Sequence, residues 1–143
     1  SLSVMDVPSA IMGTVKYFEE EEDADIIFIE GQSSLTETGN PHPKGLSAAI
    51  LFGAMPDAVV LCHRENHPFR EPVGISTELN AIEAVEPTKV VALSINRRNA
   101  PDLSLENIES KFNLPTVDIH TDSNGGLKRL LKTVLDYIGE KNG

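Results

Sequence analysis

Polar side chains follow the apolar run at residues 26–29, at the point where that run ends. Glu30 comes first, and residues 32–34 add an amide and two hydroxyls. A carboxylate directly after a buried strand is where phosphate-handling enzymes hold Mg²⁺, usually through water, beside the phosphates. The cluster therefore indicates a ligand site in which Glu30 holds Mg²⁺ through bound water. The alternative is structural, with Glu30 capping a neighbouring helix or pairing with Arg64.

His63 and Arg64 directly follow a second apolar run, residues 58–62. An imidazole and a guanidinium at a strand end can bind an anion such as phosphate or a carboxylate. His67 lies four residues after His63, a spacing that suits metal ligation on a helix. Pro68 and the polar neighbours favour a loop over that helix. Anion binding and an ordinary surface loop are the two interpretations that stand.

Asn96 ends a third apolar run, and Arg97 follows it. An amide at that place can recognise a purine edge while the guanidinium contacts phosphate, although Asn also suits the turn itself. His42, between two prolines, is a candidate acid or base, but a lone loop histidine is more often structural. Asp118 and His120 lie beside a fourth short run and are weaker candidates for a direct role.

These candidates need a framework that brings their strand ends together. Short apolar runs rich in β-branched residues predict strands at residues 26–29, 58–62, 89–95 and 114–119. Helical patterns lie at residues 9–22, from 45 or 46 to about 53, from 76, at 105–112 with Ser104 as N-cap, and at 127–141. The alternation predicts a parallel sheet with right-handed crossovers and helices on both faces. Glu30, His63 and Asn96 should then face one rim.

Composition narrows the partners. The 143 residues favour one domain, and a net charge of −10 argues against nucleic acid or an anionic membrane surface. No apolar run approaches a length of about 20 residues, the length of a membrane span, and we expect neither a membrane-spanning segment nor a signal peptide. The single Cys62 excludes an internal disulfide and fits a reducing cytoplasm; at the end of a buried strand it fits a core role better than a nucleophile.

Several segments form a connected pattern at residues 29–35, 42–43 and 56–63. In this order and spacing they resemble the C-terminal domain of the D-glutamate N-acetyltransferase-like family, long known as a family of unknown function. The resemblance continues through residues 94–96 and 114–118 and so covers most of the chain. Ser33 departs from it, because many relatives have glycine there.

The resemblance implies a three-layer α/β domain with a mainly parallel sheet, similar to P-loop domains of the dethiobiotin-synthetase lineage. Members of the family have an N-terminal Rossmann-like domain followed by a glycine-rich phosphate loop. The sequence contains no Gly-x-x-x-x-Gly-Lys-Ser/Thr stretch and no Gly-x-Gly-x-x-Gly. We therefore expect residues 1–143 to be a single α/β domain, the C-terminal part of a larger two-domain protein, without the first strand and the Walker A segment.

The resemblance also implies an activity, the transfer of an acetyl group from acetyl-CoA to an acidic amino acid such as D-glutamate. Glu30 matches the acidic residue that ends the Walker-B-like strand, and Gln32, Ser33 and Ser34 line the same pocket. His42 and His63 match recurrent loop histidines. By this interpretation Glu30 or His42 is the base that deprotonates the amine.

By the same acetyl-transfer interpretation, His63 and Arg64 hold the substrate carboxylate. One alternative is ATP- and Mg²⁺-dependent chemistry like that of dethiobiotin synthetase. In that case Glu30 organises the metal, Asn96 contacts the purine base of the nucleotide and Arg97 contacts the phosphate. Another is a non-catalytic module that forms a homo-oligomer, because an incomplete sheet leaves an unpaired edge.

Overall fold

The computed structural model describes residues 6–36, 44–68, 73–85 and 89–142. The helices are α1 (Val7–Glu20), α2 (Lys44–Ala54), α3 (Ile75–Val85), α4 (Leu105–Phe112) and α5 (Gly125–Asn142). The strands are β1 (Ala58–Arg64), β2 (Lys89–Asn96) and β3 (Thr116–Val117). No helix in these ranges is both long and apolar enough to cross a membrane.

The three strands form a parallel sheet in the order β1-β2-β3, as the alternation of runs predicts. The β1–β2 pairing runs from Ala58 opposite Lys89 to Arg64 opposite Asn96. Parallel strands end at the same edge of a sheet, so this register sets Arg64 beside Asn96 at the carboxyl edge. The prediction that the ends of these two strands share one rim is confirmed.

A bulge in β2 decides which of its side chains face the core. Val59 lies opposite Val90, whereas Val60 lies opposite Ala92, so Val91 is an extra residue in β2. One extra residue shifts the alternation of a strand by one position. Val90 and Leu93, three residues apart, consequently belong to the same buried cluster.

The core lies between β2 and two of the helices. Its fully buried cluster contains Ile82 of α3, Val90, Leu93 and Ile95 of β2, and Ile108 of α4. Sharing this cluster places α3 and α4 on one face of the sheet. α5 contacts all three strands and buries Val134 outside the cluster, so helices cover both faces. The predicted α/β class with a covered parallel sheet is confirmed.

Local capping fixes α4 as predicted. The Ser104 hydroxyl accepts a hydrogen bond of 3.2 Å from the backbone N–H of Asn107. At the other end Asn113 adopts a left-handed conformation with φ of 52°. Asparagine tolerates this conformation and often ends helices. The helix begins and ends at the residues that the sequence indicates.

The prediction of a strand at residues 26–29 is wrong. These residues adopt no regular secondary structure and pair with no strand among the described residues, and Phe28 is 76% exposed. A strand needs a backbone partner as well as an apolar sequence. β1, which is also an apolar run, has β2 as its partner, whereas residues 26–29 have no partner strand among the described residues. The predicted strand at 114–119 is shorter than expected, because only Thr116 and Val117 pair with β2.

α1 packs mainly against α2 and contains no buried residue. Gly53 of α2 allows the close approach, since a Cβ there would lie 2.5 Å from the carbonyl oxygen of Pro8 and 2.9 Å from Cβ of Ile11. Contacts that short cannot be relieved by a side chain alone, because the first involves backbone. The two helices must separate if this glycine gains a side chain.

We expect Gly53→Ala to lower the free energy of unfolding by about 1–3 kcal/mol, the usual cost of overpacking. Gly13→Ala in α1 is the matched control, because a Cβ there meets nothing within 4 Å and alanine is the better helix former by up to about 1 kcal/mol. Urea unfolding of both variants provides the measurement. Equal or greater stability of Gly53→Ala would show that the α1–α2 contact does not require glycine.

Candidate functional site

A cleft of about 220 Å³ lies at the carboxyl edge of the sheet. Two strands and the turn after β3 supply its lining, which consists of Cys62, His63, Arg64, Ser94, Asn96, Ile119 and His120. In open α/β sheets ligands bind outside the carboxyl ends of the strands. We refer to this lining as the strand-end cleft, and it is the candidate site.

The β1 wall of the cleft carries two side chains with hydrogen-bond donors, one that has a partner and one that lacks it. His63 Nε2 lies 2.8 Å from Oε2 of Glu65, and the His63 side chain is only 11% exposed. Nε of Arg64 is buried and has no hydrogen-bond partner among the described residues. A buried donor without a partner costs about 1–3 kcal/mol, so the Arg64 guanidinium is the group here best able to gain from a bound acceptor.

The turns after β1 and β2 are tied to each other. Nδ2 of Asn99 donates to the carbonyl oxygen of Asn66 at 2.7 Å, and the reverse bond measures 3.5 Å. Asn66 has a left-handed backbone with φ of 50°, a conformation that Asn tolerates well. The paired turns hold the ends of the two strands at a fixed spacing.

Asn96 and Arg97 lie together at the end of β2, but in different surroundings. Asn96 lines the cleft, and its Oδ1 accepts from the backbone N–H of Arg98 at 3.0 Å. Arg97 does not line the cleft. Its Nε donates to Asp118 at 3.1 Å, Nη1 to the carbonyl oxygen of Leu103 at 3.0 Å, and Nη2 contacts Thr121 at 3.4 Å. Arg97 therefore braces the loops around the cleft.

Asp118 is the anchor of the turn that contains His120. The residue is 2% exposed, and its Oδ1 accepts from the backbone N–H groups of His120 at 2.9 Å and Thr121 at 3.3 Å. Burial by itself would raise the pKa of Asp118, but hydrogen bonds from Arg97, Thr121 and those two backbone groups outweigh it and lower the pKa. The carboxylate stays charged and holds His120 at the cleft.

Cys62 lies at the base of the cleft as an exposed thiol. The surrounding protein desolvates the sulfur and raises its pKa; the negative charge of Glu30 adds to this, and a hydrogen bond with Ser94 opposes it. A raised pKa keeps the thiol protonated, which disfavours it as a nucleophile. The effect of Glu30 also places that carboxylate within electrostatic range of the cleft.

The hydroxyls that follow Glu30 bind within the fold. Ser33 and Ser47 of α2 exchange hydrogen bonds, with the Ser33 N–H donating to Ser47 Oγ at 2.9 Å and Ser47 Oγ donating to the Ser33 carbonyl at 2.7 Å. Ser34 Oγ donates to Glu78 at 2.7 Å. Gln32 is exposed. Neither Ser33 nor Ser34 lines the strand-end cleft.

Glu78 of α3 is a buried carboxylate that sequence reasoning did not single out. It is 6% exposed and accepts from Ser34 Oγ, the Leu35 N–H, and both the N–H and hydroxyl of Thr36, the last at 2.6 Å. From the sequence it is an acidic residue in the first turn of a helix, a common feature. Its partners lie 42–44 residues away, so no local pattern identifies them.

The structure thus brings together His63, Arg64 and Asn96 of the predicted site, with Glu30 close by in electrostatic terms. His42 lies outside the described residues. Cys62, Ser94 and His120 join the cleft although sequence reasoning assigned them little or no functional weight. Cys62 and Ser94 lie opposite one another in the β1–β2 register, which follows the bulge at Val91 and which no local sequence pattern indicates.

Among the described residues no group of three His, Cys, Asp or Glu side chains is arranged to hold a metal ion. Mg²⁺ commonly keeps most of its waters and uses one or two carboxylates together with substrate phosphates. Glu30 is the candidate for that weaker requirement, because it is an exposed carboxylate whose charge acts on Cys62 of the cleft.

Comparison with known proteins supports the α/β fold class that the parallel sheet defines. A family model described as a domain of unknown function (DUF1611_C), a P-loop domain, matches residues 1–131. The chain belongs to this family, and the P-loop-type fold that the sequence resemblance implies is confirmed.

Two curated relatives carry the name D-glutamate N-acetyltransferase. The protein from Tritonibacter scottomollicae is 27% identical over 138 residues, which cover 85% of this chain and 40% of the relative. That from Pseudoalteromonas sp is 32% identical over 114 residues, which cover 69% of this chain and 33% of the relative. The chain therefore spans less than half the length of either protein.

We expect Glu78→Gln to lower the free energy of unfolding by about 2 kcal/mol, because a glutamine amide group would face donors that now bind a carboxylate. Glu83→Gln in the same helix is the control, since Glu83 is exposed and pairs loosely with Lys89 at 3.7 Å. Urea unfolding compares the two. Equal midpoints would mean that the residue 34–36 loop does not depend on Glu78.

The Asp118–Arg97 pair should make stability depend on pH. A carboxyl whose pKa is lowered in the folded state contributes stability that is present above about pH 4 and lost as pH falls through the folded pKa. We expect Asp118→Asn to lower the free energy of unfolding by about 3 kcal/mol at neutral pH, and by less in acid.

Urea unfolding between about pH 7 and about pH 2.5 measures this difference. Glu109, whose pKa is lowered mainly by a hydrogen bond from Arg129, contributes in the same direction, so the variant comparison isolates Asp118. Asp136→Asn, at an exposed i,i+4 pair, serves as control. A destabilisation by Asp118→Asn that is unchanged down to the lowest pH would contradict the assignment.

Proposed function

We propose that this chain acts in the transfer of an acetyl group from acetyl-CoA to the amine of an acidic amino acid. The observation that carries the proposal is the strand-end cleft, whose lining offers Arg64, His63, Asn96 and His120 but no carboxylate. Such a lining suits the carboxylate of a substrate. The names of the two relatives supply the reaction class.

The reaction requires a base. An amino acid amine is mostly protonated at neutral pH and attacks the thioester carbonyl only after it has lost a proton. As nitrogen bonds to the acetyl carbon, the carbon–sulfur bond breaks and CoA leaves as the thiolate, which takes up a proton. Glu30 is exposed and its charge reaches Cys62 at the cleft, which favours it as the base; His42 is the second candidate.

The cleft fits the amino acid better than the cofactor. Pockets that enclose drug-sized ligands measure about 300–1,000 Å³, and the strand-end cleft measures about 220 Å³. It has room for a carboxylate on a short chain, which the Arg64 guanidinium would bind beside the Glu65-paired His63. Acetyl-CoA would supply the activated acyl group, and most of that molecule would lie outside this cleft.

Incubation with acetyl-CoA and D-glutamate, followed by mass spectrometry of the product, tests the proposal. The Tritonibacter scottomollicae relative serves as the positive control for the assay. N-acetylated amino acid formed by this protein supports the proposal. No product under conditions in which the relative turns over contradicts it.

We expect Glu30→Gln or His42→Ala to reduce the acetylation rate by about 10²–10⁴-fold, the usual contribution of a general base. Glu19→Gln, at an exposed position of α1, removes the same charge elsewhere and should leave the rate unchanged. Unaltered rates in both test variants would remove these residues as the base.

An ATP- and Mg²⁺-dependent reaction on an amine or carboxylate is the second candidate, favoured by the family's description as a P-loop domain. Here Glu30 would hold hydrated Mg²⁺ and the Asn96 amide would contact the adenine ring of ATP. Because Oδ1 of Asn96 already accepts from the Arg98 N–H, its Nδ2 group would donate this contact. Release of ADP that depends on both Mg²⁺ and D-glutamate, with no need for acetyl-CoA, would favour this candidate over acetyl transfer.

A further inference from the structure

We propose that Arg64 and His120 form a subsite for a small oxyanion, a carboxylate or a phosphate, on opposite strand ends of the cleft. The inference deepens the proposed function, and only the identity of the ligand rests on it. Its new element is the role of His120 as the second donor to the bound anion.

The charges around the cleft favour an anion. The chain has 22 acidic residues, yet none of the described side chains that line the cleft is acidic. Of the carboxylates nearby, Glu65 contacts the His63 ring at 2.8 Å, Asp118 pairs with Arg97 at 3.1 Å, and Glu30 acts on Cys62. The first two already have these partners, so we take Arg64 and His120 as the side chains of the lining that meet a ligand.

Arg64 supplies the permanent charge. Its Nε is shielded from solvent and bonds to no described residue, although most buried polar groups in proteins have a partner. A guanidinium binds carboxylate and phosphate oxygens with paired N–H groups in one plane. An oxyanion in the cleft would satisfy this donor.

His120 supplies the second donor. Its backbone N–H is fixed to Asp118 at 2.9 Å, and Asp118 is held in turn by Arg97. The residue is exposed and lines the cleft opposite β1. An imidazole ring carries an N–H donor, so an anion in the cleft can be held between this ring and the Arg64 guanidinium.

NMR titrations with inorganic phosphate and with D-glutamate test the subsite and separate the two classes of ligand. We expect saturable shifts of the Arg64 Nε–H and His120 ring signals with at least one of them. Arg64→Gln and His120→Asn should each weaken binding about 10-fold or more. Arg98→Gln, an exposed arginine outside the lining, removes the same charge and should bind normally.

Shifts that map elsewhere, no saturable binding of either anion, or equal losses in Arg98→Gln would overturn the inference. The mapping uses the unaltered protein and so does not require that any variant folds.

The binding and acetylation experiments can fail separately. Anion binding at Arg64 and His120 without acetyl transfer would leave the subsite standing and remove the proposed reaction. Acetyl transfer whose KM for D-glutamate is unchanged in both Arg64→Gln and His120→Asn would keep the reaction and remove the subsite.

Discussion

The buried ion pair of Asp118 with Arg97 determines the shape of the strand-end cleft. The Asp118 side chain is 1% exposed, so an uncompensated charge there would be very costly. The fold avoids this cost by directing a guanidinium and two backbone N–H groups at it. The same guanidinium reaches the loop before α4 through the Leu103 carbonyl. One carboxylate thereby fixes the turn after β3 and, through Arg97, the loop between β2 and α4.

Glu78 orders a second irregular segment of the chain in a similar way. It collects donors from residues 34–36, which follow Glu30, and attaches them to α3. Both buried carboxylates therefore order irregular chain that no strand or helix holds. Since hydrogen bonds to charged groups contribute more than neutral ones, an acidic chain can position its site loops with few residues. The hydroxyls after Glu30 are occupied by this task, which leaves the polar groups of β1 and β2 for a ligand.

Local pattern was sufficient to predict the parts of the fold that depend on neighbours in sequence. Ser104 caps α4, and β2 is an apolar run that needs no further information. Residues 26–29 have the same kind of sequence as β1 but no partner strand, so their strand prediction failed. Arg97 looked like a phosphate ligand because its partner Asp118 is 21 residues away. Contacts at that range follow from topology, which periodicity does not encode.

The distribution of charge around the cleft also bears on the kind of ligand it can select. The net charge of −10 repels anions only weakly beyond about 8 Å at physiological salt, so the groups at the cleft decide what binds. In the proposed subsite, Arg64 and His120 would attract a negative group, whereas the charge of Glu30 would disfavour a second anion near Cys62 and favour a cation. A zwitterion presents both charges on adjacent carbons. An amino acid with its carboxylate at Arg64 and its amine toward Glu30 meets both demands, and the amine then lies beside the residue proposed to remove its proton.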